Sequence, residues 1–199
     1  MLKQVALIAL MGLSASAMAG EWQVKVGASA LAPTESVSLG DLKVEADNEL
    51  AFTPSVEYFF NDNISTELLL AAPIKHDVLV NGGEAVSIKH LPPTLTAKYH
   101  FKNSTRFTPY IGVGGTAFIA WDESGIAKDV KEDFGFAGQV GFNYQPADAK
   151  NWGIFFDARY AQLSPEVTLN ADTAAELGVE KFDLDIDPVI YTLGYSYKF

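Results

Sequence analysis

Five charged residues, Glu57, Glu67, Lys98, Asp157 and Arg159, stand in segments that alternate apolar and polar residues, and all five fall on the polar parity. Alternate side chains of a strand point to opposite faces. The charges therefore share one side of a sheet whose other side is greasy. A charge enclosed there persists only when it is paired. Such a set could select a charged substrate, or it could form a structural salt-bridge network that plugs one end of an enclosed space; the need for pairing favours the network. Other chemistry is thinner. Ser65 and His100 have residue types suited to acyl transfer, but they share the inner parity, away from lipid. His76, His90 and His100 are too scattered for a metal site, and Gly112 to Gly115 lacks the Lys-Ser/Thr and helix of a phosphate loop. No cysteine is present, which removes disulfides and thiolate zinc sites. No catalytic centre, metal or other cofactor is expected.

The elements that hold these charges are strands. Trp22, Val24, Val26, Ala28 and Ala30 oppose Gln23, Lys25, Gly27 and Ser29; Leu50, Phe52, Val56, Tyr58 and Phe60 oppose Ala51, Thr53, Ser55, Glu57 and Phe59. The same alternation recurs over 64–71, 94–101, 134–144, 152–160 and the terminal 191–199. The glycine-rich 110–121 is a further strand whose faces the pattern leaves ambiguous. Connections alternate long and short. Long ones follow Pro33, Pro73, Asp122 and Gln162, and short ones occupy 61–63, 102–106 and 145–151. Eight strands with that rhythm predict an all-β fold: an antiparallel transmembrane β-barrel with long extracellular loops, short periplasmic turns and both termini periplasmic. A soluble eight-stranded ligand barrel would point its large apolar face inward. Here the aromatics crowd the uniformly greasy face, and Gly, Ser, Thr and charges take the other. Trp22, Tyr99, Tyr144, Trp152, Tyr195 and Tyr197 read as anchors at the lipid boundary.

The N-terminus supports the same address. Lys3, the apolar run Val5 to Leu13 and Ala17-Met18-Ala19 form an export signal, expected to be cleaved after Ala19, leaving 20–199 as the barrel in the bacterial outer membrane. After it, no apolar run reaches the roughly 20 residues of a membrane helix. The formal charge is −11 over 199 residues, which disfavours nucleic acid as a partner. The acidic loops either bind divalent ions that bridge lipopolysaccharide or form a solvated rim, and the rim is the simpler reading. An eight-stranded interior is too narrow for a water-filled pore. It is not purely polar either, since Phe59, Leu69, Phe155 and Ile190 share the inner parity. Pro92 and Pro93 cannot donate ladder hydrogen bonds, so pairing should break near the outer rim.

Over nearly the whole of 20–199 the chain resembles the OmpW/AlkL family of outer-membrane proteins. The likeness rests on YFFNDNISTELLLAAP (58–73), HLPPTLTAKYHF (90–101), PYIGVG (109–114), and Ile186-Asp187-Pro188 with the terminal Tyr-Lys-Phe. The resemblance implies passive uptake of small hydrophobic molecules through a narrow apolar channel, with sideways release into the membrane. Phe59, Leu69, Phe155 and Arg159 would line that channel, and Pro92-Pro93 would mark the lateral opening. Leu69 falls where the family is expected to constrict. Arg159 falls where some relatives carry a bulky aromatic, so a purely hydrophobic constriction requires Arg159 to pair with Asp157 or Glu67. The implied partners are outer-membrane lipid and lipopolysaccharide, small hydrophobic solutes, and the barrel-assembly machinery acting on Phe199. The alternative is a structural or receptor barrel with a plugged lumen.

Overall fold

A computed structural model describes residues 20–32, 36–39, 42–46, 49–70, 74–80, 83–125 and 127–199. The expected export segment, the bends at Pro33 and Pro73, and the side chains of Trp121, His76 and His90 lie outside what is described. In chain order the elements are β1 (Glu21–Ala32), β2 (Ser36–Leu39), β3 (Leu42–Ala46), β4 (Glu49–Phe59), β5 (Ile64–Leu69), β6 (Ile74–Val80), β7 (Gly83–Leu91) and β8 (Thr94–His100). There follow β9 (Phe107–Gly125), β10 (Ala127–Val130), β11 (Asp133–Tyr144), β12 (Trp152–Ala161), β13 (Glu166–Leu169), a helix α1 (Ala171–Leu177), β14 (Lys181–Asp183) and β15 (Val189–Lys198).

Eight of these strands close a wall in the order β1-β4-β5-β8-β9-β11-β12-β15, every neighbour antiparallel and β15 returning to β1. Closure removes the exposed edges that lipid cannot hydrate. Along β8, burial alternates residue by residue: Leu95 and Tyr99 are about half exposed, whereas Thr96, Lys98 and His100 are buried. Phe136 and Tyr197 are exposed and Phe156 half-exposed, all three on the outer face. Grease therefore lies outside and the small and charged residues lie within. β9 settles the strand that the sequence left ambiguous, with Tyr110, Gly112, Gly114, Thr116 and Phe118 inward and Ile111 and Val113 outward.

The short connections are built by asparagine and glutamine. Asn61 Oδ1 accepts from the backbone N–H of Asn63 and of Ile64, both at 2.9 Å, an Asx turn. Asn103 does the same for Thr105 at 2.8 Å, and the Gln145 side-chain amide spans to the carbonyls of Ala149 and Lys150. Aromatic pairs ring this end: Trp22 with Tyr58, Trp152 with Tyr195, Phe107 with Tyr144, and Tyr197 with Phe199. The long connections are long, as expected, but they are not structureless. β2, β3, β6, β7 and the far half of β9 continue the sheet beyond the wall, and β10, β13 and β14 form a separate three-stranded sheet. In β7, β10 and the far half of β9 charge falls on both parities, and β2, β3, β6, β13 and β14 are short, so no long lipid-facing stripe announces any of them.

Candidate functional site

The inward charges meet in the middle of the barrel. Glu57 contacts Lys25 and lies 3.2 Å from Lys98 Nζ. Glu67 accepts from Lys98 Nζ at 2.5 Å, from Lys25 Nζ at 3.2 Å and from Arg159 Nη2 at 3.3 Å. Arg159 Nε reaches Asp157 at 3.3 Å, Nη2 also bonds Gln139 Oε1, and Gln139 Nε2 donates to Thr96 Oγ1 at 2.9 Å. Tyr110 OH donates to Asp157 at 2.9 Å, and Lys98 Nζ stands 3.8 Å above the Tyr110 ring. Three bases, Lys25, Lys98 and Arg159, thus face three acids, Glu57, Glu67 and Asp157. The side chains of Lys25, Glu57 and Lys98 are 0% exposed, so these charges face their partners rather than bulk water. Neutral charge balance is what makes such dryness tolerable.

Glu57, Glu67, Lys98, Asp157 and Arg159 all stand in this cluster. Sequence reasoning omitted Lys25, Tyr110, Gln139, Ser65 and His100 from the set. Lys25 had a visible signal, since it shares the polar parity of β1 and its register neighbour Ser55 stands one inward step from Glu57. Tyr110 had none, because its strand showed no clear alternation.

Ser65, His100 and Glu57 lie together, but not as a catalytic triad. Ser65 Oγ donates to Glu57 at 2.5 Å, and His100 Nε2 lies 2.8 Å from Ser65 Oγ and 3.0 Å from the same carboxylate oxygen. With the serine proton already given to Glu57, Nε2 must carry its own hydrogen and donate. A general base needs the reverse, a free Nε2 accepting from serine and a carboxylate on Nδ1.

On the extracellular side of this network the interior changes character. Leu31, Leu69, Phe118, Ala137, Ala161 and Ile190 are buried there. The hydroxyls among them satisfy one another: Ser29 lies 2.6 Å from Thr53 and 2.7 Å from Thr192, and Thr94 lies 2.9 Å from Thr116. Phe155 lies beside the network rather than above it, with Lys25 Nζ 5.2 Å from its ring. Its ring fills a hollow between the paired Gly27 and Gly194, where a Cβ on Gly194 would stand 2.5 Å from the ring. Phe59 lies at the periplasmic end, 4.9 Å from the His100 ring, where it lines a cavity of about 390 Å³.

On one flank the described pairing stops at Pro54. β4 pairs with β5 over Ser55 to Phe59, and Leu70 N donates to Pro54 O at 2.9 Å. Residues 49–53 bond β1 on one side and, among the described residues, no strand on the other. Pro92-Pro93 separates β7 from β8. On the β9 side the ladder continues through the break, with Leu91 opposite Ile119, Thr94 opposite Thr116, and Ala117 N donating to Pro93 O at 3.0 Å. Pro92-Pro93 therefore leaves the ladder on the β9 edge continuous.

Comparison with known proteins agrees with this geometry. The OmpW family matches residues 18–199. Outer membrane protein W of Vibrio cholerae serotype O1 is 32% identical, with 90% of this chain and 89% of that protein covered. Outer membrane protein AlkL of Ectopseudomonas oleovorans is 28% identical over 88% of this chain and 74% of that protein. Among solved structures, the crystal structure of the outer membrane protein OprG from Pseudomonas aeruginosa superposes with a TM-score of 0.80 at 27% identity, covering 91% of this chain and 96% of that one.

Proposed function

The chain belongs to the OmpW family of outer-membrane barrels, and from that premise we propose that it passively admits small hydrophobic molecules and releases them sideways into the membrane. The observation that carries this reading is the split in the interior. A charge-balanced, dry plug closes the periplasmic half, and buried apolar side chains such as Leu31, Leu69 and Ile190 lie outside it. A solute entering from the extracellular side meets no unpaired charge until the plug stops it. The flank of β4 over 49–53, which among the described residues bonds no strand beyond β1, with Pro92-Pro93 across from it, supports a lateral exit. Among the described residues, opening the wall there breaks no ladder hydrogen bond on that side of β4, whereas elsewhere each lost bond inside lipid is costly. Contact with lipopolysaccharide at the rim, and recognition of Phe199 by the barrel-assembly machinery, belong to the same proposal.

The test is uptake of a radiolabelled C8 alkane by intact cells with and without the protein. Faster uptake with the protein is expected, and Leu69→Arg should abolish the gain while leaving the barrel inserted. Equal uptake in both strains would sink the reading. A second reading, a structural or receptor barrel, is favoured by the completeness of the plug. It requires function to follow the extracellular elements and to survive lumen substitutions.

A further inference from the structure

The greasy outside of the wall is not evenly filled. In two of its rows a large outward residue stands between two others across the ladders: Leu68 lies between Val56 and Leu95, and Phe156 between Phe142 and Leu193. β1 departs from that pattern. Its outward Ala28 lies between Phe52 of β4 and Leu193 of β15, and Val26 lies between Pro54 and Tyr195. Phe52, Leu193 and Tyr195 are about half exposed, so they stand as ridges on either side of a low floor. Together with Ile154, which pairs with Tyr195, they enclose an apolar groove of about 430 Å³. The floor is fixed from behind. The Phe155 ring fills the hollow between Gly27 and Gly194 on the inner face, and β1 is laddered to both neighbours at this level.

The depth of the groove follows from the strand geometry. Ile154 is one outward step above Trp152, and Ala28 is three above Trp22. At about 3.3 Å per residue and a tilt of roughly 40°, each two-residue step climbs about 5 Å. The groove therefore runs from about 5 to about 15 Å above the periplasmic aromatics, inside the periplasmic half of a hydrocarbon layer about 30 Å thick. A second copy of the chain fits it poorly. A twofold contact uses the same patch on both partners, and two hollows facing each other leave a void. Lipid tails are as apolar as the groove, so no hydrophobic gain offsets that void. A flexible hydrocarbon chain follows a hollow that a rigid wall does not. We propose that the groove holds one acyl chain of a periplasmic-leaflet phospholipid, laid along β1 and retained while the surrounding lipid exchanges. The site is on the outer surface of the barrel, so it stands whether or not apolar solutes cross the lumen.

Native mass spectrometry of the barrel released from detergent provides the test, with dioleoyl phosphatidylethanolamine or lipid A added at equal concentration. One phosphatidylethanolamine retained per barrel, saturating as the lipid is raised, is expected, and lipid A should not be retained. Ala28→Phe fills the groove and should remove the retained lipid. Leu193→Ala takes away one ridge and should lower the retained fraction. Ala97→Phe makes the same enlargement at an exposed outward position of β8 and should leave retention unchanged. Heat-sensitive gel mobility confirms that each variant is a folded barrel. Absence of retained phospholipid, retention that survives both groove variants, or equal loss in Ala97→Phe overturns the proposal. So does a dimer that Ala28→Phe dissolves, which would make a second copy the occupant. Preferential retention of lipid A overturns it as well, since the chain would then come from the outer leaflet.

Discussion

Two carboxylates in this molecule each sit between lysines, in opposite surroundings. Glu67 lies in the lumen against Lys25, Lys98 and Arg159, with side chains at most 4% exposed. Glu166 lies on the three-stranded sheet outside the wall, 2.6 Å from Lys131 and 3.1 Å from Lys181, with side chains 32–55% exposed. The distances alone would rank the two alike. Burial separates them. Water already solvates the charges of the outer trio, so pairing adds little and salt screens it. In the lumen each charge has only its partners in place of water. Deleting one strands the others, and the loss is the desolvation of what remains rather than the worth of one bond. The inner quartet should therefore weigh heavily in the barrel's stability, while the outer trio should weigh little.

The sharpest way to break that comparison is Glu67→Ala. It leaves Lys25, Lys98 and Arg159 facing only Glu57 and Asp157. The expected loss is about 3–5 kcal/mol, read as a fall in the urea midpoint of the barrel refolded in lipid vesicles. A loss no larger than that of an exposed pair would show that water reaches the plug. Next in size is Gly194→Ala. Its Cβ would stand 2.3 Å from the Val26 carbonyl oxygen and 2.5 Å from the Phe155 ring, and overpacking of this kind costs about 1–3 kcal/mol. The double variant with Phe155→Ala should recover only the part that the ring contributes. Smaller again is Ser29→Ala, which removes two hydroxyl contacts at 2.6 and 2.7 Å. It should cost about 1 kcal/mol, the usual net worth of a neutral hydrogen bond, in the same unfolding measurement.

The difference between the inner and outer clusters also explains what the sequence could and could not disclose. Wherever lipid presses on one face, alternation is enforced, so β4, β8, β12 and the terminal β15 are legible at the level of single residues, and Glu57, Glu67, Lys98, Asp157 and Arg159 follow from parity alone. Parity says nothing about which strands meet across the lumen. The contact between Glu67 and Arg159, residues 92 apart in the chain, depends on how the cylinder closes. In β9 the run of glycines removes the side chains that would display a parity, which hides Tyr110. Outside the membrane both faces meet water, polar residues are tolerated on either, and the strands β2, β3, β6, β7, β10, β13 and β14 pass for loops.

The smallest effect expected is at Glu166, and it sharpens the comparison from the other side. Hydrogen bonds from Lys131 and then Lys181 hold the Glu166 carboxyl below its ordinary range, and Glu166 holds Lys131 above its own. A depressed carboxylate stabilises the fold above its unfolded pKa, and that contribution is lost as pH falls through the folded value; a raised lysine contributes below its unfolded pKa and loses it as pH rises through the folded value. The pairing is therefore complete across neutral pH and dissolves only in acid below the usual carboxylate range or in strong base. Because these groups are exposed, Glu166→Gln should leave the barrel's unfolding midpoint unchanged. Its effect should be local: faster amide hydrogen exchange at Val167 and Thr168 of β13 at neutral pH and low salt. Adding salt at neutral pH should bring the unsubstituted protein to the same rate, and lowering the pH should bring its protection, taken relative to the intrinsic exchange rate at that pH, to that of the variant, because both remove the same attraction. A midpoint shift in Glu166→Gln comparable to that of Glu67→Ala would mean that the outer sheet and the wall unfold as one unit, and the contrast between dry and wet pairs would lose its basis.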